Sequence, residues 1–479
     1  MIRKGIMTEQ EARAIYHQGE EAVVAKLMEF DARLKRLEDI INMNSYNSSK
    51  PPSTDNKLTK TKKINTSKSK KQRGGQKGHK GNNLKIVATP DKIETLYPTQ
   101  CSCCNSSLEN INSFKFEKRQ LFDLPKIKMQ VTEYQAHSIE CKECHTINKA
   151  EFPDNLNAIT QYGDNLKALI SYLNTYQMIP YERISEMIED LTAHSISVGS
   201  IYNFLITHYD RLDNFETILK RSILKEDIIN SDETGIHVKN KLHWIHVTSS
   251  SVLTYYMIHK KRGSIAMDDM EIIPNYSGIL VHDHWKAYNK YDNCSHSYCN
   301  AHILRELTAI NEQDSVQWSE DMHKLLTNMN IAVHKAKDNN KTELSKAQIQ
   351  KFTKNYEKIT KSAENYYPPP DNRTKKTKGR PKQEKGKNLL DRLSNYQDET
   401  LRFLNDFRVP FTNNLAERDL RMIKVKEKIS GSFASLKGGE IFCRVRSYIS
   451  TLKKNNIAVL QGLSNALNGK AYLPIGRGC

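Results

Sequence analysis

Residues 228–263 read IINSDETGIHVKNKLHWIHVTSSSVLTYYMIHKKRG, residues 278–291 read GILVHDHWKAYNKY, and residues 299–307 read CNAHILREL. Twice in this stretch a short apolar run stops at an acid: Ile228-Ile229 ahead of Asp232, and Ile279-Leu280-Val281 ahead of Asp283. Apolar runs of this length, bounded by turn-forming residues, predict buried strands. A carboxylate at the end of such a strand stands on rigid backbone at a sheet edge. For either acid alone, a plain turn residue is the competing reading. Two in this order, joined by a third from a helix, would offer oxygen ligands to the pair of divalent ions used in phosphodiester chemistry.

Between the two acids, Leu242–Ser249 and Val252–His259 predict two more strands, and Ser264–Met270 a helix. Three strands in succession, a helix, and then the Asp283 strand predict a mixed α/β sheet. That order suits a ribonuclease-H-like core, in which acids of the first and fourth strands lie side by side. The third acid is sought in FTNNLAERDLRMIKVKEKISG, residues 411–431, with Thr412 to Asn414 as helix-cap candidates. At helical spacing Glu417, Arg421, Lys424 and Lys428 share one face, while Leu420, Ile423 and Val425 are expected to pack on the sheet. A solvated salt-bridge ladder has the same pattern. The functional alternative is a metal-binding carboxylate beside Arg418, Arg421, Lys424 and Lys428, which would hold DNA phosphates.

The chain around this core is basic. Its 479 residues allow several domains, and 73 Lys+Arg against 55 Asp+Glu give a formal charge of +18. Such a surplus points to a polyanionic partner, nucleic acid before membrane. No apolar run approaches the ~18 residues of a membrane span, and the first twenty residues are charged throughout. A soluble, intracellular protein is expected, with its nine cysteines as thiols or metal ligands and not disulfides. Residues 9–42 predict one helix in which Val23, Leu27, Phe30, Leu34, Leu37 and Ile41 follow a coiled-coil seam. A dimer zipper and a helix packed on its own chain both fit.

From Asn56 to Lys80 there are ten Lys/Arg and no acid, which predicts a disordered linker. Either it is merely solvated or it holds DNA phosphates, with Arg73 and Lys77 among the contacts. Cys101-x-x-Cys104 and Cys141-x-x-Cys144 follow, 36 residues apart, with strand-like alternation in MQVTEYQAHSIE between them. Two such knuckles supply four thiolates for a closed, structural zinc site, with Cys103 and His145 as the nearest substitutes. In residues 154–222, Ile184–Leu191 and Val198–Leu205 have the dimensions of a helix-turn-helix, and equally of ordinary packed helices. Residues of about 318–400 read as a Lys-rich helical insertion between the second and third acids. Its NRTKKTKGRPKQEKGK segment has Gly379-Arg380-Pro381 and Lys382 at its centre. A minor-groove hook and a flexible basic loop are both open there.

So many ordered motifs resemble one family. NSYNSSKPPSTD, RGGQKGHKG, the two C-x-x-C pairs, SDETG, LHWIHV, HKKRG, VHDHWKAY, CNAHILREL, NNLAERDLR, KISGSF and IFCRVRSYIS resemble, nearly end to end, the large transposase of the insertion sequence 66 family, a DDE transposase. The resemblance implies a triad of Asp232, Asp283 and Glu417 on a ribonuclease-H-like fold, holding two Mg²⁺ (or Mn²⁺), besides the structural Zn²⁺. It implies cleavage at the ends of a mobile element and strand transfer into target DNA. A homo-oligomer on DNA, small accessory proteins from the same element and a cytoplasmic, nucleoid-associated location in bacteria are implied as well. The expected domains are residues 1–45 (helix or short coiled coil), 46–90 (basic linker), 91–153 (zinc-binding), 154–224 (helical), 225–430 (catalytic, with the insertion) and 431–479 (C-terminal helical segment). A non-catalytic DNA-binding regulator of transposase descent and a nuclease on the same fold are the alternatives. Cys299-Asn-Ala-His302 resembles a C-x-x-H found after the second acid in several transposase groups. With Cys294 and His296 it suggests either a second metal site or a hydrogen-bonding role for His302.

Overall fold

A computed structural model describes residues 7–44, 47, 84–368 and 383–474. Arg73, Lys77, Arg380 and Lys382 lie outside the described residues, as do most of the predicted linker and the Gly379-Arg380-Pro381 centre. No helix among the described residues is long and apolar enough to cross a membrane. The chain divides into two compact units, the smaller being residues 61–132 with 191–193. In the smaller unit the Gln120 side chain pairs both ways with the Val87 backbone, at 2.8 Å each. The Cys101 N–H donates to the Ser106 carbonyl, closing the first knuckle.

The larger unit begins with two helices where one was predicted. α1 (Glu9–Tyr16) is opened by a Thr8–Glu11 capping box, and Gly19, at φ +103°, separates it from α2 (Glu20–Asn42). Only glycine adopts that backbone readily, so the helical period restarts there. Leu27, Leu34, Leu37 and Ile41 of the α2 seam are all exposed. The strand-like run before the second knuckle shrinks to β1 (Ser138–Glu140), paired antiparallel with β2 (Ile147–Lys149). Its earlier residues bury no apolar face, Val131 being 87% exposed, and an unpaired strand has nothing to hold it.

Helices α3 (Asp164–Ser171), α4 (Tyr181–Thr192), α5 (Val198–Arg211) and α6 (Asp213–Ile223) lead into the sheet. α5 buries Ile201, Phe204, Leu205 and His208, and the His208 ring bonds Ser171 Oγ at 2.8 Å and the Leu463 carbonyl at 3.1 Å. The exposed positions of α4 are mostly acidic: Glu182, Glu186, Glu189 and Asp190, with Arg183.

The sheet comprises β3 (Ile228–Val238), β4 (Lys241–Ser249), β5 (Thr254–His259), β6 (Ile279–His282) and β7 (Ser295–Tyr298), in the order β5-β4-β3-β6-β7. β3, β4 and β5 run antiparallel, and β6 and β7 are parallel to β3. A two-residue turn, Lys239-Asn240, joins β3 to β4 with both φ angles positive (+46° and +62°), the form whose twist suits a hairpin. α7 (Ser264–Met270) covers the crossover to β6 over the predicted residues.

β3 is longer than its apolar run. β4 pairs with it from Asn230 to Val238, so the strand runs on well past Asp232, which stands inside it and not at its end as predicted. β6 pairs with β3 only at Ile228, Ile229 and Asn230. Asp232 therefore lies just where the parallel partner leaves, and continuing that register by two positions sets it beside Asp283, the residue after β6.

Among the described residues, five α-helices lie between β7 and the Glu417 helix: α8 (Asn300–Asp314), α9 (Gln317–Asp338), α10 (Lys346–Ala363), α11 (Lys385–Asn395) and α12 (Gln397–Asn405). They bury a core of their own that includes Leu307, Trp318, Met322, Tyr356, Leu389 and Phe403. α12 returns to pack on β7, handing the chain back to the sheet for α13 (Asn414–Ser430). α14 (Leu436–Lys454) and α15 (Val459–Leu467) are no appendage. α14 lies against β5, and Ile441, Val445, Tyr448 and Leu452 join the core that holds Leu280. A Cβ on Gly439 would stand 2.6 Å from the terminal Ile258 Cδ1, so the glycine lets the helix lie here without turning that side chain aside.

Candidate active site

Asp232 is half-buried, and its Oδ1 accepts the Glu233 N–H at 2.9 Å. Burial raises its carboxyl well above the ordinary range, and the charges of Glu233, Asp283 and Glu417 raise it further. All four acids therefore act on one region. Asp283 Oδ1 accepts the Trp285 N–H at 2.9 Å, which orders the turn after β6. Behind it the His282 ring bonds His296 Nδ1 at 2.8 Å, and burial pulls its pKa down to about 3, so it carries no charge.

Glu233 was not anticipated. Its side chain is fully buried, takes the Tyr288 hydroxyl at 2.7 Å and pairs with Arg262 at 2.8 Å. Burial and the Asp283 charge raise its carboxyl, against those two hydrogen bonds. The Arg262 guanidinium lies 4.8 Å from the Trp244 ring centre and 4.3 Å from that of Trp285. The stack holds the cation beside the acids.

α13 brings Glu417 in and is tied to β3 at both ends. Asn413 is the N-cap of the helix, within the predicted Thr412 to Asn414, but its fully buried side chain makes no capping hydrogen bond. Its Oδ1 accepts the Asn230 amide at 2.8 Å, and its Nδ2 donates to the Ser231 carbonyl at 2.9 Å. Its backbone N–H meets Cys299 Sγ at 3.1 Å. At the other end Phe433 exchanges backbone hydrogen bonds with His237 and Lys239. Leu420 and Ile423 are buried against the sheet and Val425 is half-buried. Glu417, a turn into the helix, adds its charge to those acting on Asp232. Asp419 faces away and pairs with Lys454 at 2.9 Å.

Arg418, Arg421, Lys424 and Lys428 are exposed. Lys424 is engaged by the Gly235 carbonyl at 2.6 Å and by Glu427 at 3.0 Å, and Arg418 by the Asn414 carbonyl at 3.3 Å. Beside Glu417, Cys299 Sγ and His302 Nδ1 each stand 3.9 Å from its Oε1. His302 Nδ1 is buried and makes no hydrogen bond, so the predicted hydrogen-bonding role fails at that atom. Cys294 and His296 do not join this cluster, since both His296 nitrogens are used, by His282 and by the Tyr291 carbonyl.

A family model described as Transposase IS66 family matches residues 160–441. The chain belongs to the insertion sequence 66 transposase family. The match spans the sheet, the helices between the acids and α13. The zinc-finger binding domain of the same transposase matches residues 98–145, and a family of unknown function matches residues 4–85. No curated protein matches the chain.

For an insertion sequence 66 transposase the zinc-finger match supports structural zinc, and each C-x-x-C knuckle taken by itself suits it. Cys141 N–H donates to the Thr146 carbonyl at 2.9 Å, as Cys101 does to Ser106 at 2.9 Å. Asn105 and His145 take matching left-handed φ angles of +58° and +56°. Hydrogen bonds from Ser106 bring the Cys104 thiol down to about 7, and those of Thr146 lower Cys144. Thiols biased toward thiolate are the form zinc takes. Glu233 was legible only as a letter inside SDETG, and Asn413 only as a cap candidate, because their partners come from distant segments.

Proposed function

We propose that this chain is a DDE-type DNA transposase that binds the ends of a mobile element, cuts them and joins them to target DNA, with Asp232, Asp283 and Glu417 as its triad. The observation that carries the reading is the parallel β3–β6 register, which continued by two positions brings Asp232 beside Asp283, with the charge of Glu417 also acting on the Asp232 carboxyl. The strand order β5-β4-β3-β6-β7, antiparallel on one side of β3 and parallel on the other, supports a ribonuclease-H-like core.

Like charges crowded at a half-buried spot repel, and hard oxygen donors in that position fit Mg²⁺ or Mn²⁺. Bound there, two such ions would activate water and then a 3′-hydroxyl for attack on phosphate. The protein's part is to hold the carboxylates still. β3 and β6 fix Asp232 and Asp283, and the Asn413 bonds fix the start of α13 and hence Glu417. Arg421 and Lys428 present free cationic ends along the α13 face for phosphates. Zinc-held knuckles, the basic linker with Arg73 and Lys77, and the insertion's Arg380 and Lys382 extend the grip on DNA. The exposed α2 seam supports a homo-oligomer on DNA. Accessory proteins of the element rest on family resemblance alone.

A strand-transfer assay with labelled element ends tests the reading. A transposase cuts and joins, a nuclease cuts without joining, and a regulator only binds.

A further inference from the structure

We propose that Cys299, His302 and Glu417 form a site for one borderline transition-metal ion of the Zn²⁺ class, and that filling it withdraws Glu417 from Asp232 and Asp283. Among the described residues this is the group of three or more ligating side chains whose donor atoms all lie within 4.8 Å of one another. Sulfur, imidazole nitrogen and carboxylate oxygen together select Zn²⁺ or Co²⁺ over Mg²⁺.

The geometry suits such an ion. Zinc bonds of about 2.3 Å to sulfur and 2.0 Å to oxygen give a tetrahedral S···O edge of roughly 3.5 Å. The edges from Glu417 Oε1 to Cys299 Sγ and to His302 Nδ1 are both 3.9 Å, so a small side-chain rotation closes them. Cys299 is buried, and the Asn413 N–H donates to its sulfur at 3.1 Å, which holds the sulfur in place. His302 Nδ1 is buried with no hydrogen bond, which leaves its lone pair for a metal. The half-exposed Glu417 and His302 leave room for a water as fourth ligand. On binding, the thiol proton passes to solvent. The binding half stands on this geometry alone. The inhibitory half rests on the role proposed for Glu417.

The test uses the full-length chain holding one zinc in its knuckles and freed of further zinc, in excess Mg²⁺, titrated with Co²⁺ alone as the probe. The expected result is one cobalt per chain with a thiolate-to-cobalt absorption band, absent in Cys299→Ser and with affinity weakened at least about tenfold in His302→Ala. Asp232→Asn should keep the band in full, whatever it does to cleavage. A band that persists in Cys299→Ser, or no cobalt taken up beyond the knuckles, overturns the site. In the same protein, further added zinc should suppress Mg²⁺-dependent cleavage relative to each variant's own rate without it, and Cys299→Ser should lose that suppression. Cobalt binding without zinc suppression overturns the inhibitory half. Full cleavage by Glu417→Gln would instead overturn the triad and leave the cobalt result standing.

Discussion

At Asp232 the protein holds a carboxyl whose charge is disfavoured by burial and by three neighbouring acids. The folded form therefore binds its proton more tightly than the unfolded chain does. The sign follows: the charge destabilises the metal-free fold progressively as pH rises from the unfolded carboxyl range toward the raised folded value. Asp232→Asn should melt at higher temperature than the parent without divalent ions. The gap should widen with rising pH and vanish in acid, where Asp232 is protonated in both states. Added Mg²⁺ should stabilise the parent and not the variant, as a differential melting scan would show. Arg262 offers a second check. Arg262→Ala leaves the fully buried Glu233 carboxylate without its cation. Losing a fully buried partner costs about 3–5 kcal/mol, and the partial exposure of Arg262 reduces this to about 2 kcal/mol, measurable by urea unfolding. These two acids also mark what was legible. Asp232 and Asp283 announced themselves by ending apolar runs, whereas Glu233 has no such flag. Its importance comes from Arg262 and Tyr288, 29 and 55 residues away.

At the scale of elements, the account turns on how α13 is seated. Two side-chain hydrogen bonds from Asn413 join it to β3, and both bonds are buried. Asn413→Ala should cost about 2–3 kcal/mol, because it strands the Asn230 amide and the Ser231 carbonyl away from water. It should also slow cleavage while DNA affinity in a binding titration stays unchanged, since Glu417 lies one turn on. The elements themselves were largely readable: Ser264–Met270 is a helix as predicted, and Asp283 directly follows β6. Local periodicity sufficed there. It failed where pairing is non-local. The outer half of β3 exists because β4 pairs with it, so the strand outruns its apolar run. Asn413 reads as a helix cap because that is the local use of asparagine, while its actual partners lie 182 and 183 residues away. α14 packs on β5 with Gly439 against Ile258, a contact no spacing reveals.

The whole molecule joins an α/β body to zinc knuckles and basic segments on a chain of charge +18. β1 and β2 beside the second knuckle are exposed at every residue, so that knuckle contributes nothing to the buried core. Stripping zinc with a chelator should abolish tight binding to element ends while leaving the main thermal unfolding transition in place. A shift of the main transition together with loss of binding would contradict that division of labour. The central claim is that Asp232, Asp283 and Glu417 form one metal-dependent catalytic unit. The most direct measurement is Mg²⁺-dependent cleavage and strand transfer of labelled ends by the parent and by Asp232→Asn, Asp283→Asn and Glu417→Gln. Losing several kcal/mol of charge stabilisation in the transition state corresponds to a rate loss on the order of a thousandfold. Each variant is expected to lose both reactions to about that extent while still binding the ends. Full Mg²⁺-dependent cleavage by any one of the three would contradict the claim.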